Sequence, residues 1–133
     1  MSCIFCKIIS GEIPIHKVYE DEDTLAFLDI NPVAYGHTLV VPKKHFQNME
    51  EIPQAELNKV MSTVKRIGQA IKEKLGAPSY NIGENNDREA GQIIPHIHFH
   101  VIPRFGQDNL KLWPQGPYPE GKAQEILAKL KID

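Results

Sequence analysis

Apolar residues recur at helical spacing between residues 53 and 75, where Leu57, Val60, Met61, Val64, Ile67, Ile71 and Leu75 fall on one face. Pro53 fits a first turn, and Gly76 followed by Pro78 fits a stop, so one long amphipathic helix is predicted. The other apolar runs are short and rich in β-branched and aromatic residues. They predict strands over 17–20 and 24–29, flanking an acidic turn from Asp21 to Asp23. Further strands are predicted over 37–41, ending at Pro42, over 79–83, and over 96–102, closed by Pro103. Residues 2–9 read as a short helix with Ile4, Phe5, Ile8 and Ile9 on one face and Gly11 as its stop. A last amphipathic helix over 122–131 carries Ile126, Leu127 and Leu130. Asn31-Pro32 marks a loop, and the polar stretch from Glu84 to Gly91 suits a ligand loop. The pattern is α+β: an antiparallel five-stranded sheet with one long helix and short terminal helices.

At 133 residues the chain has the length of one domain, and 41% apolar residues suffice for a core. Fifteen Lys and Arg against seventeen Asp and Glu give a net charge of −2. That balance disfavours nucleic acid as a partner, because duplex binding draws on a strong positive excess. No apolar run is long enough for a membrane span, and no basic flank precedes a signal-type stretch. A soluble, cytoplasmic protein with no membrane partner is therefore expected. Two cysteines are too few for a disulfide scaffold. In a reducing compartment, Cys3 and Cys6 are expected to be thiols or metal ligands.

Six histidines stand out, and three of them alternate in Pro95-His96-Ile97-His98-Phe99-His100-Val101. On a strand His96, His98 and His100 share one face, while Ile97, Phe99 and Val101 take the other. A solvated strand face would explain one histidine, but not easily three with no Lys, Glu, Thr or Ser among them. A metal site and a nucleophilic site are the two readings with chemistry behind them. The outer two histidines would sit roughly 13 Å apart along a strand, too far to share one ion with bonds of about 2.0–2.1 Å. At least one histidine is thus left for other chemistry. Cys3-Ile4-Phe5-Cys6 is a C-x-x-C that by itself leaves a redox pair, a zinc half-site or coincidence open.

The run His96-Ile97-His98-Phe99-His100-Val101 resembles the histidine triad signature. Gly91-Gln92 upstream, the block from Gly36 to His45 and the block Asp29-Ile30-Asn31-Pro32 resemble further blocks of that family. The resemblance runs from about Cys3 to Arg104, which leaves 105–133 as a C-terminal extension of a single domain over 1–133. It implies a histidine triad (HIT) hydrolase with a HIT-like fold, similar to the HINT branch or its bacterial zinc-containing relatives. The implied substrates are purine nucleoside phosphoramidates or related nucleoside phosphoesters, cleaved through a nucleotidyl-histidine to release nucleoside monophosphate. A catalytically weak nucleotide-binding or regulatory module is the alternative.

By resemblance His98 is the nucleophile, and His100 and His37 donate to non-bridging phosphate oxygens. Asp29 would hold ribose hydroxyls. Phe5, Phe27 and Ile30, with Ile4 and Ile8 nearby, would enclose the base, and Asn85, Gly91 and Gln92 would meet the phosphate region. Relatives that bind zinc imply a structural Zn2+ ligated by Cys3, Cys6, His45 and His96. His16 matches nothing and is expected at the surface. One position departs: Ile93 stands where family members usually carry Ser or Thr, so the leaving-group proton lacks its usual helper. Lys111-Leu112-Trp113-Pro114 resembles a C-terminal segment that reaches across a homodimer, and a homodimer is expected on that basis.

Overall fold

The computed structural model describes residues 3–132. Its elements are α1 (Ile4–Ile9), β1 (Lys17–Glu20), β2 (Thr24–Leu28), β3 (Thr38–Pro42), α2 (Gln54–Leu75), β4 (Ser79–Glu84), β5 (Phe99–Arg104) and α3 (Lys122–Leu130). Of the helix predicted over 2–9, Ser2 lies outside the described residues. The five strands form one sheet in the order β1-β2-β3-β5-β4, with every pairing antiparallel. Among the described residues, no helix is long and apolar enough to cross a membrane.

The central strands explain their own composition. β2 (Thr-Leu-Ala-Phe-Leu) and β3 (Thr-Leu-Val-Val-Pro) are buried almost throughout, because both faces of the sheet are covered. On one face α2 packs Val60, Val64, Ile67 and Ile71 against Ala26, Val40, Ile97, Phe99 and Val101. On the other, α1 and the segment after it pack Phe5 and Ile8 against Leu25, Phe27, Leu39 and Val41. α2 ends at Gly76, whose φ of +71° is the left-handed cap glycine supplies readily.

Several expectations shift. The last strand starts at Phe99 rather than His96, because both of its neighbours stop pairing there: Val40 faces Phe99 on β3 and Glu84 faces Phe99 on β4. It also runs through Pro103 to Arg104. β3 pairs with β5 only as far as Val101, so no ladder bond on that side is lost at Pro103. Pro53 caps α2 instead of opening its first turn. Met61 and Leu75 belong to the predicted apolar face of α2 yet are 37% and 52% exposed. Gly68 takes part of that face, its Cα lying under the Tyr80 ring. α3 buries no residue.

Candidate functional site

Two clusters of histidine form where β5 and the segment before it cross β3. The first gathers Cys3, Cys6, His45 and His96. Cys3 is the N-cap of α1, and its Sγ accepts from the Cys6 N–H at 3.4 Å, so the helix start brings the two sulfurs together. His96 Nδ1 lies 3.6 Å from Cys3 Sγ and 3.7 Å from Cys6 Sγ. His45 Nδ1 lies 3.4 Å from Cys6 Sγ and 3.2 Å from His96 Nδ1. A tetrahedral ion with bonds of about 2.0–2.3 Å separates its ligands by about 3.3–3.8 Å, so the donor set fits zinc in identity and spacing. The His96 Nε2–H donates to the Pro42 carbonyl at 2.9 Å, which leaves the Nδ1 lone pair toward the sulfurs. The ring is fully buried, and that burial pushes its pKa down to about 4. Burial raises the Cys6 thiol, with the hydrogen bond to Cys3 adding to the effect. Both cysteines are free.

The second cluster is His37, His98 and His100 beside Asp29. The His98 Nδ1–H donates to the His96 carbonyl at 2.8 Å, so Nε2 keeps its lone pair. The edge of Phe5 packs on the His98 ring at 5.0 Å. The Val33 N–H donates to His37 Nδ1 at 3.0 Å, so the His37 proton sits on Nε2. From there it is donated to His100 Nδ1 at 2.9 Å, which puts the His100 proton on Nε2. One backbone carbonyl and one backbone amide thereby set three tautomers. Burial depresses the pKa of His37 and His98, and takes His100 down to about 4 with help from its two histidine neighbours. All three are neutral imidazoles at pH 7: an unprotonated nitrogen on His98 next to an N–H donor on His100.

Backbone turns place these groups. Gly36 has φ +100°, and a Cβ there would collide with the Leu75 side chain. That turn swings His37 inward, where its N–H reaches the Ala34 carbonyl and its carbonyl takes the Asp29 N–H. Asp29 Oδ1 accepts the Asn31 N–H, while Oδ2 stands 3.6 Å from His37 Nε2.

A cavity of about 480 Å³ opens beside the cluster. Phe5, Phe27, Asp29, Ile30, Asn85, Gly91, His98 and His100 all line it, as do Ile4 and Ile8. A second cavity of about 460 Å³ lies across His100 and is lined by His37, Asn81, Arg104 and Trp113, among others. His100 and Asn85 border both. Gln92 borders neither. Its amide is bonded to the Gln47 and Ile94 carbonyls and its oxygen accepts the Asp87 N–H, so it ties the 84–91 loop in place. His37 lines the second cavity and meets the first only through its bond to His100. Ile93 sits at the cavity edge, 87% exposed. His16 is exposed, as expected. Ile13, Pro14 and Ile15 also line the first cavity and were not singled out in the sequence. The signal for them was two isoleucines flanking a proline that holds the chain extended.

A family model described as the HIT domain matches residues 10–107. An uncharacterized HIT-like protein of Methanocaldococcus jannaschii is 58% identical over 129 residues, covering 97% of this chain and 98% of the relative. The adenosine 5'-monophosphoramidase of Schizosaccharomyces pombe is 42% identical over 137 residues, 98% of this chain and 100% of the relative. A Zn-bound histidine triad family protein from Mycobacterium smegmatis superposes with a TM-score of 0.81 at 39% identity, over 98% of this chain and 96% of that one.

Proposed function

The chain belongs to the HIT family, and on that premise we propose that it is a nucleotidyl hydrolase acting on purine nucleoside phosphoramidates or related phosphoesters. The observation that carries this reading is the unprotonated His98 Nε2 beside a nucleoside-sized cavity, with the His100 N–H next to it. The similarity to an adenosine 5'-monophosphoramidase over almost the whole chain supports the same chemistry.

In this mechanism the base rests among Phe5, Phe27 and Ile30, the ribose hydroxyls bond Asp29, and Asn85 and Gly91 meet the phosphate. His98 Nε2 forms a bond to the α-phosphorus while the bond to the leaving amine or oxygen breaks. The leaving group keeps that electron pair and takes up a proton from solvent water, which the later loss of the attacking water's proton returns. Neutral His98 becomes a nucleotidyl-imidazolium whose Nδ1–H stays on the His96 carbonyl. Water then attacks phosphorus, the P–N bond returns its pair to Nε2, and nucleoside monophosphate leaves with the water's proton released. The His100 Nε2–H stabilises charge on the non-bridging oxygens, and His37 holds it in the donating tautomer. Gln92 shapes the phosphate loop from behind. Cys3, Cys6, His45 and His96 would hold a structural Zn2+, which when bound clamps α1 to the catalytic segment. The two free thiols fit a cytoplasmic setting. A family match that ends at 107 supports reading the residues from 105 onward as an extension of the HIT domain. The exposed edge strand β4 and the exposed Trp113 arm support a homodimer.

Incubation with adenosine 5'-phosphoramidate tests the reading: wild type releases AMP and His98→Ala does not. Tight AMP binding without turnover by either protein would instead establish a non-catalytic binding module. Ile93, which places no hydroxyl at the cavity edge, is the observation that favours that second reading.

A further inference from the structure

The segment carrying His96 and His98 lies outside the sheet ladder, since pairing on both sides of β5 ends at Phe99. The carbonyl that takes the His98 Nδ1–H therefore belongs to a stretch held by few hydrogen bonds, with the Ile97 side chain packed in the core behind it. One tether is the Ile97 N–H, bonded to the Phe46 carbonyl at 2.7 Å, and another is the His96 N–H, bonded to the Ile94 carbonyl at 2.8 Å. The third is the His96 side chain, pinned by Pro42 on one nitrogen and facing Cys3, Cys6 and His45 on the other. A second link runs beside it. Phe5 lies between the two cysteines in sequence, and its ring meets His96 at 5.9 Å and His98 at 5.0 Å, edge-on in both cases.

We propose that the Cys3–Cys6–His45–His96 ligand set orients the nucleophile, so that His96 and Phe5 are positioning residues for His98. The coupling is mechanical. Filling the ligand set fixes the His96 ring, and with it the His96 carbonyl that selects the His98 tautomer. It also fixes α1, and with it the Phe5 ring that limits rotation of His98. Emptying the set frees both restraints while leaving the sheet and α2, which share none of these ligands, in place. The proposal rests on His98 being the nucleophile for its effect on rate, but its structural half does not.

The test uses full-length, zinc-loaded protein with 15N-labelled histidine, free of substrate. The His98 Nδ1–H signal is expected to be sharp and slow to exchange with solvent. It should broaden or vanish on chelation and in Cys6→Ser, return when zinc is restored, and persist in His45→Cys, which keeps four ligands. Phe5→Leu should broaden it while retaining the metal. With adenosine 5'-phosphoramidate, well below the melting temperature, chelation should lower kcat on the order of 10-fold with KM within about 3-fold. A His98 signal unchanged in folded, metal-free protein overturns the proposal. So does broadening only in step with global unfolding, with Phe5→Leu silent. If the loaded wild type shows no turnover at all, the hydrolase reading fails, while the His98 signal still decides the coupling.

Discussion

The two histidine clusters are built from neighbouring residues and present opposite ring nitrogens. His96 and His98 are two positions apart, and burial lowers the pKa of both. His96 gives its Nε2 proton to a carbonyl and turns Nδ1 toward two sulfurs and another imidazole in a closed pocket. His98 gives its Nδ1 proton to a carbonyl and turns Nε2 toward an open cavity. The residue type and the depressed basicity are common to both. On the proposed function, what would separate a metal ligand from a nucleophile is which ring nitrogen the backbone claims, and what the other one faces.

That comparison breaks most sharply at His98. His98→Ala should cost on the order of 10⁴-fold or more in AMP release while zinc content, read by elemental analysis, stays at the wild-type level. Cys3→Ser should shift the balance the other way, costing only the roughly 10-fold in kcat expected of chelation. Bound zinc is lost and the melting temperature falls by on the order of 10 °C, more than His98→Ala lowers it. His37→Asn should reduce kcat on the order of 100-fold with little change in KM, because it acts through the His100 donor. Equal losses in kcat and in nucleotide affinity would mean that His37 contacts the nucleotide itself.

Acid should expose the shared property of the two clusters. His100 is held at about 4 in the fold against 6.5 in the open chain. As pH falls below about 6.5, the unfolded chain takes up protons that the folded site refuses, so stability drops until about pH 4, where His100 also charges. Melting temperatures between pH 7.5 and 4 should decline across that window, and should decline less in His100→Gln. The smallest expected effect is at the cavity edge: Ile93→Ser should raise phosphoramidate turnover a few-fold. An unchanged or lower rate would mean that no hydroxyl is needed there.

The sheet and the long helix were readable because burial imposes a period, and β2, β3 and α2 are the most regularly buried elements. Met61 and Leu75 carry the same period yet are 37% and 52% exposed, while Gly68, which an apolar count passes over, is buried in that face under Tyr80. The start of β5 could not be read from its alternation, which continues unbroken through His96 and His98. β4 runs out at Glu84, and β3 continues to Pro42 on its β2 side while the Ile97 N–H turns instead to the Phe46 carbonyl, so the end of the ladder is a property of other segments. The triad and the cysteine pair announce themselves by spacing. Pairing His37 with His100 depends on sheet register across 63 residues, which no local pattern contains. The backbone claims on His37, His96 and His98 arise in the same way.

The β3–β5 register has a consequence for quality control. Leu39 faces His100 and Val40 faces Phe99. A slip of one residue would turn His100 into the hydrophobic layer under α2 and present Phe99 or Val101 to the cavity side. Such a chain would bury an imidazole without its His37 partner and remove the N–H donor that the proposed mechanism uses, in one error. Misassembled molecules should therefore be both unstable and inactive, and specific activity in a purified preparation should track the folded fraction rather than degrade by degrees.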